Sequence, residues 1–195
     1  MQAAPQLVLA STSKYRRELL ARLGLPFEVA SPQVDETALP NEAPQDTARR
    51  LAEAKARAVA ARFPRAIVIG SDQVAVLADM PLGKPGNLAT ALRQLKAMRG
   101  KEVVFHTALC LCNAASGQTD TRVVPYCVRF RDYSNAQIER YLQREQPYDC
   151  AGSARCEGLG IALIAAMRGD DPNALIGLPL IALTEMLAAQ GVSVL

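Results

Sequence analysis

The chain has 195 residues, 50% hydrophobic and 21% charged, with a formal net charge of +3. That length supports one globular domain with a sizeable core, expected over residues 1–195. Charges of both signs are mixed along the chain, which excludes a nucleic-acid or membrane surface held mainly by basic density but leaves an anionic small molecule open.

The opening "MQAAPQLVLA" lacks a basic n-region and a long apolar stretch, and the longest uncharged apolar run, "GLGIALIAAM", is too short for a bilayer. A cytoplasmic protein is expected. In chain order, "QLVLA" reads as a strand, "SKYRRELLARLG" as a helix ending near Gly24 and "FEVAS" as the next strand. The polar "VDETALPNEAP", with two prolines and no periodicity, is a loop. After it, "QDTARRLAEAKARAVAARF" is a long Ala-rich helix, "AIVIGSD" a short apolar strand and "ADMPLG" a hairpin. A further helix, "NLATALRQLKAMRG", closes at Gly100, and two long strands, "EVVFHTALCLCN" and "TRVVPYCVRF", join through "AASGQ". Helices "SNAQIERYLQRE" and "LPLIALTEMLAAQ" flank the apolar "GIALIAAM". Strand–helix alternation with an antiparallel pair predicts a mixed-sheet α/β domain.

The cysteines at 110, 112, 127, 150 and 156 show no CxxC spacing and are expected to be buried reduced thiols. Cys110 and Cys112 share one strand face, but with the lone His106 they remain short of a zinc site. A single mid-strand histidine moves acid–base chemistry to carboxylates.

In "LASTSKYRREL", Ser11, Thr12 and Ser13 stand where a strand feeds a helix N-terminus, and Arg16 and Arg17 follow in its first turn. Two readings stand: a phosphate site built from backbone N–H groups, hydroxyls and guanidinium forks, or a serine N-cap followed by a solvated basic face. Asp72 in "AIVIGSDQV" follows an apolar strand, a position where α/β sheets bind ligands and also where turn aspartates occur. Asp35 and Glu36 offer loop carboxylates of the kind Mg²⁺ or Mn²⁺ prefers. Lys55 shares a stripe with Leu51 and Val59, unusual for a surface lysine, and Lys84 in "GKP" sits on non-helical backbone.

Taken together, "LVLASTSKYRRELLARLGLPFEVASPQVDET", "RLAEAKARAVA", "VIGSDQVAVL", "GKP", "YDCAGSARCEGLGIAL" and "LIGLPLIALTEML" resemble the Maf family of nucleotide pyrophosphatases over almost the whole chain. Gln73 and Glu157 make it most similar to the YceF-type branch, whose members hydrolyse 7-methyl-GTP; the dTTP/UTP branch carries Thr and Gln there. The resemblance implies the Maf/inosine-triphosphatase-like α/β fold with a central cleft, a divalent cation (Mg, Mn or Co) and a homodimer. It assigns Asp72 as proton acceptor, Glu36 as a second catalytic or metal-binding carboxylate, and Ser11, Ser13, Arg16, Arg17, Lys55 and Lys84 to the phosphates. Base selection falls to Tyr15, Gln73 and Glu157. Where the family commonly shows S-P-R-R, this chain has Ser13-Lys14-Tyr15-Arg16, and Tyr15 keeps an aromatic where the branch often has Trp. The expected reaction is hydrolysis of a nucleoside triphosphate to monophosphate and pyrophosphate. Other modified nucleotides, dTTP or UTP, and a nucleotide-binding role in cell division are the alternatives.

Overall fold

The computed structural model describes residues 5–195. Its strands are β1 (Leu7–Ala10), β2 (Glu28–Ala30), β3 (Ile67–Leu77), β4 (Met80–Leu82), β5 (Glu102–Asn113), β6 (Thr119–Phe130) and β7 (Ile164–Arg168). They form a seven-stranded sheet in the order β2-β1-β3-β5-β6-β7, with β4 paired to β3. β1 runs parallel to both β2 and β3, with Leu9 opposite Val29 on one side and Ile69 on the other. The β3–β4 and β6–β7 pairs are antiparallel. Helices α1 (Lys14–Ala21), α2 (Pro44–Ala60), α3 (Leu88–Met98), α4 (Asn135–Glu145), α5 (Pro172–Ile176) and α6 (Leu180–Ala189) complete the mixed α/β fold that the sequence predicts.

The chain divides into two compact units, one containing the residues up to Asp72, Thr107–Val124 and Asp171–Leu195, the other Gln73–His106 and Pro125–Asp170. The first has a core of Leu7, Leu9, Ile67, Ile69, Leu109 and Leu111 from the strands, with Leu19 and Leu20 of α1 and Leu183, Met186 and Leu187 of α6. Burial of such side chains contributes roughly 1.5–3 kcal/mol each. Helix α2 begins on Pro44, whose fixed φ and missing N–H suit a first turn, and buries Ala48, Leu51, Ala52, Lys55, Ala56 and Val59 along one stripe. Those alanines let the helix approach the sheet closely. A Cβ on Gly70 of β3 would lie 2.2 Å from the Ala52 carbonyl oxygen, so only glycine fits there.

In the second unit, α3 starts at Asn87, whose side chain accepts from the Thr90 amide, and packs on α4. Helix α4 carries a full capping box between Ser134 and Gln137. Tyr133 is buried with its hydroxyl donating to the Leu95 carbonyl at 2.8 Å, and its ring meets Phe130 edge-on at 6.4 Å.

Three details depart from the sequence reading. Strand β3 does not stop before Asp72 but runs on to Leu77, because Gly70 and Ser71 serve packing and hydrogen bonding within the strand rather than a turn. The apolar "GIALIAAM" splits into the end of a 3₁₀ turn, Leu159–Leu163, and the strand β7. Among the cysteines only Cys110 and Cys112 are buried; Cys127, Cys150 and Cys156 are half-buried, on β6 and in the irregular segment after α4. All five are free thiols.

Candidate active site

The first unit brings a cation and two carboxylates together. Lys55 of α2 donates to Asp72 Oδ1 at 2.6 Å, and its Nζ lies 2.8 Å from Glu36 Oε1. Lys55 and Asp72 are buried while Glu36 is exposed. The stripe position of Lys55 and the small residues around Gly70 together produce this pair, since Gly70 and Asp72 share the face of β3 that α2 covers.

Arg16 adds a second cation. Its Nε donates to the Gly177 carbonyl at 2.8 Å, which leaves terminal N–H groups of the fork for other acceptors. Burial lowers its proton affinity and the Asp72 and Glu36 carboxylates partly restore it, so the guanidinium lies within their field and stays charged. Ser71 Oγ lies 2.8 Å from this Gly177 carbonyl and 2.8 Å from the Ala108 carbonyl, and its single hydroxyl hydrogen is shared between the two acceptors. Gly177 holds φ +121°, and a Cβ there would press on Arg16 Nε at 3.3 Å.

At the entry to α1, Ser13 is the N-cap and accepts from the Arg16 amide, while the Ser13 amide donates to Ser11 Oγ at 3.1 Å. The capping reading is therefore realised, and it does not exclude phosphate binding, because both hydroxyl hydrogens still donate. Arg17 and Thr12 are exposed; Tyr15 is half-buried with Lys14 Nζ 4.8 Å above its ring.

Gln73, Lys84 and Glu157 belong to the second unit. Gln73 follows Asp72 in β3 and so points to the opposite face. Lys84 is exposed in a loop tied down by Gln94 and Gly152, which both donate to the Gly83 carbonyl. Glu157 accepts from Arg155 Nε at 3.3 Å, and Arg155 also bonds Glu145 at 3.0 Å.

No group of three or more His, Cys, Asp or Glu side chains among the described residues could hold a metal by itself. Glu36 and Asp72 nonetheless converge on one cationic centre, Lys55 Nζ, and a pair of carboxylates completed by substrate phosphates is the donor set Mg²⁺ ordinarily takes. The residues therefore fit a divalent cation. His106 lies in β5, half-buried, with burial lowering its pKa, and belongs to no such cluster.

Two residues that hold this arrangement, Ser71 and Gly177, went unnoticed in the sequence. Ser71 and Gly177 are 106 positions apart, and no local periodicity links them.

A buried Lys–Asp pair, a loop carboxylate and an arginine beside a helix N-terminus gather on one unit of this α/β scaffold. The profile of the Maf-like protein family matches residues 6–190, and the chain belongs to the Maf family. It is 64% identical over 191 residues to a 7-methyl-GTP pyrophosphatase of Methylobacillus flagellatus, covering 98% of this chain and 100% of that one. Identity to the 7-methyl-GTP pyrophosphatase of Nitrosococcus oceani is 60% over 193 residues, covering 99% and 97%. The protein of that name from Nitrosospira multiformis is 60% identical over 193 residues, covering 99% and 98%.

Proposed function

We propose that the chain is a 7-methyl-GTP pyrophosphatase, hydrolysing its substrate to 7-methyl-GMP and pyrophosphate and so removing a modified nucleotide from the pool. The observation that carries the reaction type is the Asp72–Lys55–Glu36 constellation; the choice of base is supported by full-length relatives bearing that name.

On this reading a water molecule attacks the α-phosphorus and pyrophosphate leaves. Asp72 orients the water and takes its proton, and Lys55 holds the Asp72 side chain in place. Arg16, Lys84, Ser11, Ser13 and the α1 N-terminus neutralise the phosphates, with Arg17 the outlying member of the set. A divalent cation (Mg²⁺, Mn²⁺ or Co²⁺) held by Glu36 and Asp72 would supply further charge neutralisation. Tyr15, Gln73 and Glu157 are assigned to the base. The reading extends to a homodimer in the cytoplasm; among the described residues no helix is long and apolar enough to cross a membrane.

The test is pyrophosphate release from 7-methyl-GTP, GTP, dTTP, UTP and other modified triphosphates with each of the three metals. Preference for 7-methyl-GTP is expected. Preference for dTTP or UTP would move the protein to the pyrimidine reading, and tight binding without turnover would make it a nucleotide-binding regulator. Sedimentation velocity tests the dimer.

A further inference from the structure

Asp72 is held by the sheet, whereas Glu36 lies in residues 31–43, which contain neither helix nor strand, and its side chain is 58% exposed. Something else must fix its carboxylate against Lys55. Arg50 of α2 donates through Nε to Glu42 Oε1 at 2.6 Å and through one terminal nitrogen to Glu42 Oε2 at 2.7 Å. The same terminal nitrogen reaches the Thr37 carbonyl at 3.1 Å. Glu42 Oε2 also accepts from the Leu39 amide at 3.1 Å and from Thr47 Oγ1 at 2.9 Å. Asp35 Oδ1 accepts from the Thr37 amide at 2.9 Å and from its hydroxyl at 2.6 Å. Thr37, next to Glu36, is thus held through its amide by Asp35 and through its carbonyl by Arg50.

We propose that the Glu42–Arg50 pair is a positioning device for Glu36, setting turnover without touching substrate. Arg50 and Lys55 stand on one helix, so the loop and the cation it must meet are referenced to the same rigid element. The fork geometry matters as much as the charge: the planar guanidinium sets two parallel N–H groups on the two carboxylate oxygens while also reaching a carbonyl, whereas an ammonium is a point charge without that fork. The turnover part of the inference rests on the pyrophosphatase reading; the loop-holding part does not.

The experiment compares full-length Arg50→Ala, Arg50→Lys and Glu42→Gln with the parent, each also in a Glu36→Gln background. Arg50→Ala should lower kcat on the order of 10- to 100-fold with KM for the nucleotide little changed. In the Glu36→Gln background it should cause no further loss, because residues acting through one another are not additive. Arg50→Lys should recover only part of the loss and supplies the comparison if Arg50→Ala fails to fold. Hydrogen exchange at the Thr37 and Leu39 amides should accelerate in Arg50→Ala or Arg50→Lys and in Glu42→Gln, whatever the substrate. Equal losses of kcat in both backgrounds, or an unaltered kcat, would overturn the positioning role. Should the parent hydrolyse no triphosphate, the pyrophosphatase reading fails by itself, and unchanged amide protection in the variants would then overturn the clamp.

Discussion

Lys55 donates to Asp72 across 2.6 Å with the two side chains only 5% and 10% exposed. A buried ion pair costs so much desolvation that it contributes little net stability. Chemistry is the better reason for keeping one on a strand packed against a small-residue helix.

Asp72→Asn keeps the shape of the side chain but removes the proton acceptor. Turnover should fall on the order of 10²-fold or more, the scale for losing a general base. Lys55 retains Glu36 as a partner, so the stability loss should stay below about 3 kcal/mol. Pyrophosphate release and urea unfolding on the purified variant measure the two quantities; near-normal turnover would remove Asp72 from the mechanism.

Gly70→Ala tests how the pair is brought together. The new Cβ would meet the Ala52 carbonyl oxygen at 2.2 Å and the Ala56 amide nitrogen at 2.8 Å, both backbone atoms that cannot swing away. Overpacking of this kind costs about 1–3 kcal/mol or more, and relief requires α2 to move off β3 and take Lys55 with it. A drop in both thermal midpoint and kcat is expected, whereas a variant with parental stability would mean that the helix and strand are not rigidly apposed.

Apolar periodicity carried the α/β class, the long helices and the stripe position of Lys55, whereas Asp72, Glu36 and Arg16 had ordinary local readings and were singled out by the resemblance to the Maf family. The sequence reading misplaced Asp72 at a strand end, since Gly-Ser reads as a break until the helix lying over Gly70 is seen. The five-residue α5 escaped notice because its stability comes from Asp171, which accepts from the Asn173 and Ile181 amides, rather than from any periodicity. Arg50 carries no local signal of its own within α2. Its role depends on Glu42, eight residues away across a helix start, and only folding brings the two together.

The Glu42 carboxyl also makes a pH prediction. Hydrogen bonds from Arg50 above all pull it from an ordinary 4.5 to about 2. A depressed carboxyl contributes stability that is complete above its unfolded value and is lost as pH falls through its folded value. The gap in urea midpoint between the parent and Glu42→Gln should therefore be constant near neutrality and narrow as pH drops from about 5 towards 3. A gap independent of pH would mean that the carboxylate charge is not what holds the loop.

Arg16→Lys separates phosphate binding from base binding. Lysine keeps the charge but cannot hold the Gly177 carbonyl and a phosphate in one plane. Loss of a charge-assisted hydrogen bond should weaken kcat/KM by about 1.5–3 kcal/mol, and equally for 7-methyl-GTP, GTP and UTP, since the phosphates are common to all. An effect confined to one base would assign Arg16 to base recognition instead.

Glu157 carries the base preference in the proposed function, and its surroundings sharpen the test. Its carboxylate accepts from Arg155 Nε at 3.3 Å, a long contact, and remains 28% exposed, so oxygen lone pairs are left for a ligand. An ionised carboxylate only accepts, and therefore suits the N1–H and exocyclic amine of a guanine edge, whereas uracil and thymine offer one imide donor between two repelling carbonyls. Methylation at N7 makes the ring cationic, which strengthens the carboxylate contact. Glu157→Gln keeps the volume, removes the charge and adds a donor suited to a pyrimidine carbonyl. The preference for 7-methyl-GTP over GTP should fall by roughly 1–3 kcal/mol in relative kcat/KM, with a gain for dTTP or UTP. The alternative is that Glu157 serves only to neutralise Arg155, which Glu145 already holds at 3.0 Å. In that case Glu157→Gln would leave the ratios among the four triphosphates unchanged while lowering the thermal midpoint, and base selection would have to be sought elsewhere.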